Sequence, residues 1–209
     1  MTTRRQELIQ HYYQNKISDC ELLVDNIWDP HNVAAITRSC DGFGIKTINL
    51  YYTYNQVFDF KKTGKASSSS SNRWVLYNPI YAAKSKLTKK ETLKLEDRLL
   101  EAKLALKEWA KQKKKEGFVI IGSSLQETST VLNSFKFPEK FILVIGNEKS
   151  GISSEIRDIC DKFIYIPMLG MVESYNVSVA SAIFLYEIFK QKGQNLQLRT
   201  ENDLFGVRD

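Results

Sequence analysis

Histidine is nearly absent from this chain of 209 residues: His11 and His31 are the only two. So few imidazoles leave little room for a His-built metal centre or a Ser-His-Asp triad. Cysteine is scarce as well. Cys20, Cys40 and Cys160 are odd in number, widely spaced and never in a CxxC arrangement. That pattern argues against a disulfide framework and suits a reducing compartment. No apolar run approaches the length of a membrane span, and the opening "MTTRRQELIQHYYQNK" lacks the apolar core of a secretory leader. There is no GxxxxGK[ST] phosphate loop, and "GFG" at 42–44 is a lone GxG. The expectation is a cytoplasmic, metal-free protein that does not touch a membrane.

What is present fits one folded domain with appendages: 43% of the residues are apolar and 11% aromatic. The formal net charge of +6 is unevenly placed. Between Lys84 and Lys115 there are twelve Lys or Arg against five Asp or Glu, a local balance of +7, so the rest nets about −1. One segment carries the basicity and is the candidate for meeting a polyanion. A solvated, Lys-rich helix is the plainer reading of the same charge.

Continuous apolar runs at 21–28, 46–52, 117–124, 140–148 and 163–168 read as strands buried on both faces. Helical spacing appears at 4–16, 32–44, 153–162 and 176–190, with "DPHN" (29–32) read as a breaker before the second of these. Alternating strands and helices predict an α/β fold with a mostly parallel sheet. Two segments break the rhythm. "KKTGKASSSSSNRWV" (61–75) is Ser-rich and basic, a linker by composition, though Arg73 and Trp74 could close over an RNA backbone and its bases. A stretch free of Gly and Pro then runs from Ile80 to Glu116. Thr88 and Glu91 form a capping-box pair, and Leu95, Leu99, Ala102, Leu106 and Trp109 make one apolar face. The opposite face presents lysines, including Lys107, Lys111, Lys113 and Lys114.

In parallel sheets ligands bind beyond the C-terminal ends of the strands. Three such ends offer Ser123-Ser124-Leu125, then Gly146-Asn147-Glu148-Lys149-Ser150-Gly151, then Pro167-Met168-Leu169-Gly170-Met171. Exposed backbone at Gly146 and Gly170, small hydroxyls and an apolar lining from Leu125, Met168 and Leu169 suit an adenine ring and a nucleoside without a triphosphate. The stretch "IPMLGMVESYNVSVASAIFLYEI" (166–188) adds Glu173, Ser174, Tyr175 and the helix cap Asn176. It reads either as a pocket-lining loop or as a capped core helix after a long turn. Arg38 taken alone is a surface residue.

"NVAAITRSCDGFG" (32–44), "ILVIGNEKSGIS" (142–153) and "IPMLGMVESYNVSVASA" (166–182), in that order, resemble the three signature motifs of the SPOUT RNA methyltransferases, closest to the TrmH branch. The resemblance covers roughly residues 20–75 and 117–190. It implies a Rossmann-like sheet with a C-terminal deep trefoil knot, S-adenosylmethionine bound by the knot loops, and a homodimer whose subunits complete each other's active sites. It further implies 2'-O-ribose methylation of tRNA, with guanosine 18 of the D-loop as first choice. Another tRNA position, an rRNA ribose or a non-catalytic RNA-binding role are the alternatives. Carried over by position, Arg38 matches the catalytic arginine, Asn32 its partner, Glu148 the acidic residue of the second motif, and Ser174 and Asn176 polar residues of the third. Ser124, Gly146, Ile166, Met168 and Tyr175 fall at cofactor positions, with Leu125 beside them. Tyr175 stands where the family pattern has leucine. In the mechanism the resemblance implies, a substrate phosphate helps Arg38 to take the 2'-hydroxyl proton. The expected organisation is a helical extension (1–19), a catalytic domain (20–190) with a basic helical insertion at about 80–116, and a tail (191–209). Arg73, Lys107, Lys111, Lys113 and Lys114 are the candidate RNA contacts.

Overall fold

Five of the apolar runs form the strands expected of them. The computed structural model describes residues 3–53, 71, 74–82 and 92–198. Strands β1 (Cys20–Asp25), β2 (Thr47–Tyr52), β3 (Leu76–Ala82), β4 (Val119–Ser123), β5 (Thr130–Val131), β6 (Phe141–Ile145) and β7 (Lys162–Tyr165) form one seven-stranded sheet in the order β3-β2-β1-β6-β4-β7-β5. Every pairing is parallel. β1 registers Leu22 against Ile48 on one side and against Leu143 on the other. β6 lies in the middle of the sheet and is buried at all five positions.

Alternate residues along these strands feed two cores. Leu22, Val24, Ile48, Leu143 and Ile145 face α2 (Pro30–Gly42) and the C-terminal helix, Val177–Lys192, packing with Val33, Ile36, Cys40, Phe184, Leu185 and Ile188. Leu23, Tyr51, Ile120, Ile142 and Val144 face the other way, onto Ala102, Leu106 and Ala110 of α3 (Thr92–Lys115). Each Val, Leu, Ile or Phe among them withdrawn from water contributes about 1.5–3 kcal/mol, so the two helical layers hold the sheet between them. The first helix is α1 (Thr3–Gln14), a single turn α4 spans Ser154–Arg157, and Val177–Lys192 is α5.

Several expectations change. "DPHN" starts a helix rather than breaking the chain: Asp29 caps α2 by accepting from the His31 N–H at 2.8 Å, and Pro30 takes the first helical position, where its missing N–H costs nothing. β1 accordingly ends at Asp25. β3 and β5 are strands that periodicity did not reveal. β3 carries Pro79, which is tolerated because the strand lies at the sheet edge. The helix expected at 153–162 is one turn, followed by irregular chain. The basic helix packs on the sheet through Ala102, Leu106 and Ala110, with Leu99 and Trp109 half-buried at the flanks. The capping pair Thr88–Glu91, Arg73, most of the Ser-rich segment and the tail beyond residue 198 lie outside the described residues.

Candidate active site

The three candidate ligand loops follow strands that lie next to one another. β6, β4 and β7 are adjacent in the sheet and run parallel, so Gly146, Ser124 and Ile166 leave the same edge. The Ser124 N–H donates to the Ile164 carbonyl at 3.0 Å, holding the loop after β4 against β7. At Gly146 the chain passes so close to its own loop that a Cβ would lie 2.4–2.6 Å from backbone atoms of Gly151 and Ile152. Only glycine fits there. Gly151 closes the loop with φ +66°, a conformation that favours glycine.

Three polar side chains meet beside these loops, Asn32 lying more than a hundred residues from Glu148 and Asn176. Asn32, in the first turn of α2, donates its Nδ2 to Glu148 Oε1 at 2.9 Å. Its Oδ1 accepts from Asn176 Nδ2 at 3.2 Å. Asn32 is thereby fixed in orientation by two partners, with one N–H and one lone pair left for a further group. Asn176 acts twice. Its Oδ1 caps α5 by accepting from the Ser178 N–H at 2.9 Å and the Val179 N–H at 3.4 Å, while its amide nitrogen reaches Asn32. An ordinary cap residue is here also the link between the first and third motifs.

Glu148 sits at the start of α2. The Trp28 N–H donates to its Oε2 at 2.9 Å, and the Asp29 N–H to its Oε1 at 3.3 Å, just ahead of α2. Burial would push the carboxyl up, but these donors, with Asn32, more than offset it and hold Glu148 below the usual carboxylate range. The helix field favours the negative charge in the same sense. Sequence reasoning missed the two backbone donors because it read residues 29–32 as a breaker.

The remaining candidates are less gathered. Arg38 is exposed on α2, about 9 Å along the axis from Asn32 and about 120° around it for six residues of helix. Within one chain it stands apart from the Asn32–Glu148–Asn176 cluster. Ser174 and Tyr175 are exposed on the loop before α5. So is an apolar run: Leu169 and Met171 are fully exposed, Leu125 is 73% exposed and Met168 37%. Of the lysines, Lys107 and Lys111 are exposed on α3. Lys113 pairs with Glu21 at 2.6 Å and Lys114 with Asp161 at 2.6 Å, so both tie the helix to the domain. Trp74 packs against Tyr12, with ring centroids 5.1 Å apart, and its carbonyl accepts from the Tyr12 hydroxyl. A hollow of about 390 Å³ lies there, between Tyr12, Phe43, Lys46, Trp74 and Phe189, at the opposite end of α2 from Asn32. Among the described residues no three His, Cys, Asp or Glu side chains form a metal-binding group, and no helix is long and apolar enough to cross a membrane.

Residues 98–186 match the model of the SpoU rRNA methylase family. The chain is 30% identical over 189 residues to the tRNA (guanosine(18)-2'-O)-methyltransferase of Aquifex aeolicus, covering 90% of this chain and 77% of that one. The crystal structure of the A. aeolicus TrmH/SpoU tRNA modifying enzyme superposes with a TM-score of 0.68 at 26% identity, over 97% of this chain and 93% of the other. The SpoU methyltransferase AviRb from Streptomyces viridochromogenes, solved with AdoMet, superposes with a TM-score of 0.61 at 25% identity, over 83% of this chain and 58% of the other.

Proposed function

The chain belongs to the SpoU methylase family, and from that premise we propose that it methylates the ribose 2'-hydroxyl of guanosine 18 in tRNA, using S-adenosylmethionine. The observation that carries the reading is the Asn176–Asn32–Glu148 chain, which joins all three motifs beside the loops of three adjacent parallel strands. A pocket for a flat, partly apolar nucleoside is supported by the exposed Leu125, Met168, Leu169 and Met171 next to free backbone at Gly170.

When bound, S-adenosylmethionine supplies an activated methyl group on a sulfonium. The protein's task is then alignment of the 2'-hydroxyl and management of its proton. Asn32, held by Glu148 and Asn176, uses its remaining hydrogen-bonding capacity to orient the ribose. Arg38 pairs with a phosphate and lies against the 2'-hydroxyl. A free guanidinium is far too basic to take a proton, so the phosphate shares that role.

The separation of Arg38 from the cluster supports a homodimer in which a second copy completes the site. A groove between α2 and α5, lined by Ala35, Phe43, Val179, Ala182, Ile183 and Tyr186, is the face we assign to that copy. The sheet order supports a knotted C-terminal part: β6 and β7 each return between strands already in place, and the chain after β7 would thread the earlier loop. Lys107 and Lys111 are the leading RNA contacts on α3. Three free cysteines, with Cys20 and Cys40 buried, suit the reducing cytoplasm.

The family's description names rRNA, which keeps an rRNA ribose as the second reading. Transfer of a labelled methyl group to three RNAs decides between them: a tRNA transcript, the same transcript with 2'-deoxyguanosine at position 18, and a set of rRNA fragments. The reading predicts label in the first alone. Label in the deoxy transcript or in rRNA contradicts it.

A further inference from the structure

The loop Gly146–Ser153 that carries Glu148 is held at both ends by two consecutive buried residues at the start of the lead-in to the first motif, "DNIWDPHN" (25–32). Asp25, the last residue of β1, is 1% exposed, and Asn26 is 5% exposed. The Ser153 N–H donates to Asp25 Oδ2 at 2.7 Å, at the far end of the loop. At the near end Asn147 Nδ2 donates to the Asn26 carbonyl at 2.5 Å. Between these points Asn147 and Gly151 exchange backbone hydrogen bonds of 2.8 and 3.0 Å, closing the loop on itself.

Asn26 is built for this place. Its φ is +49°, the left-handed region in which a bulky side chain is strained and asparagine or glycine is tolerated. Its amide nitrogen donates to Asp25 Oδ1 at 2.9 Å and to Thr53 Oγ1 at 3.2 Å, and its Oδ1 accepts from the Thr53 N–H at 2.8 Å. The reversed backbone places its carbonyl toward Asn147, while the following amides of Trp28 and Asp29 reach Glu148. Residues 25–32 and 146–153 are thus fastened together by Asn147, Glu148 and Ser153 in turn.

We propose that Asp25 and Asn26 are positioning residues that clamp the loop Gly146–Ser153 onto the turn leading to Asn32, setting the methyl-donor loop and the Asn32–Glu148 pair in register. The proposal rests on the reading that this loop borders S-adenosylmethionine. A carboxylate is required at position 25 because two donors approach its two oxygens. An asparagine there has one oxygen, so its own N–H must face either the Ser153 N–H or the Asn26 amide, leaving a buried donor against a donor. Burial holds the Asp25 carboxyl above its usual range, while the donors from Ser153 and Asn26 pull it the other way.

The full-length protein carries the test through Asp25→Asn, Ser153→Pro, Asn26→Gly and Asn26→Ala. Ser153 has φ −62°, so proline suits its backbone; it removes the N–H that Asp25 accepts together with the hydroxyl, which Ser153→Ala removes alone as the control. Titrations with S-adenosylmethionine well below each variant's melting temperature should show the dissociation constant raised about tenfold in both Asp25→Asn and Ser153→Pro. The double variant should be no worse than either single one, since both remove one bond. Asn26→Gly, which keeps the backbone turn, should retain more kcat than Asn26→Ala. Hydrogen exchange gives a readout independent of the cofactor: the amides of Gly151 and Ser153 should exchange faster in Asp25→Asn while those of β6 do not change. Unchanged exchange at those amides overturns the clamp, whatever the protein binds. Unchanged affinity and kcat in both variants, with only a lowered melting temperature, overturns the positioning role. A wild-type protein that fails to bind S-adenosylmethionine, with the exchange difference intact, overturns the functional reading and leaves the clamp standing.

Discussion

Glu148 is a carboxylate whose charge is held by backbone amides and one asparagine, and that arrangement has a pH signature. Its folded-state pKa lies below the ordinary 4.5, so the network stabilises the fold fully above that pH and is lost as pH falls through the lower folded value. Asp25 has the opposite sign, being raised by burial, and is present in both proteins of the comparison. Glu148→Gln should therefore be less stable than wild type at pH 7, and the gap should close in acid. Denaturation curves at pH 7 and at pH 3–4 check this, and a gap that stays constant with pH would show that the charge is not what holds the turn. Arg38 is the complementary case. It is exposed and away from the three loops, so Arg38→Ala should lower methyl transfer at least a hundredfold with S-adenosylmethionine affinity changed less than threefold. Turnover close to wild type would remove Arg38 from the chemistry. Both residues were legible only through a motif resemblance. Asn32 and Glu148 are 116 positions apart, and Asn32 and Asn176 are 144 apart, so no local pattern could place them in contact.

Among the elements, those buried on both faces were readable and those at the edges were not. β1, β2, β4, β6 and β7 are continuous apolar runs because helices cover both sides of a parallel sheet. β3 has only one strand neighbour, exposes Leu76, Asn78 and Pro79, and β5 is two residues long, so neither writes that pattern. The basic helix α3 joins two roles that its sequence presents as one. Its inner face is core: Leu106 is fully buried, and Leu106→Ala should cost about 2–5 kcal/mol in chemical denaturation. Its outer face keeps Lys107 and Lys111 exposed, whereas Lys113 and Lys114 are engaged with Glu21 and Asp161. Changing Lys107 and Lys111 to Gln should weaken tRNA binding and reduce the slope of affinity against salt by about one for each phosphate no longer neutralised, with stability unchanged. Superimposable salt plots would make those lysines a solvated surface only.

For the molecule as a whole, one chain holds the Asn32–Glu148–Asn176 cluster in place but leaves Arg38 and the groove between α2 and α5 open to a second copy. Light scattering should give twice the monomer mass, and Val179→Glu, which puts a charge on that groove, should yield monomers that lose methyl transfer while keeping their fold. Monomeric wild type with full activity would refute the shared site. Beneath all of these lies the assignment of this fold to one ribose of one class of RNA. Nucleoside mass spectrometry of tRNA and rRNA from cells with and without the protein, with the missing modification mapped by fragment, puts that assignment to its strictest trial. The expected result is that 2'-O-methylguanosine at position 18 of tRNA disappears and every rRNA methylation persists. Retention of that mark, or disappearance of an rRNA ribose methyl group in its place, would contradict it.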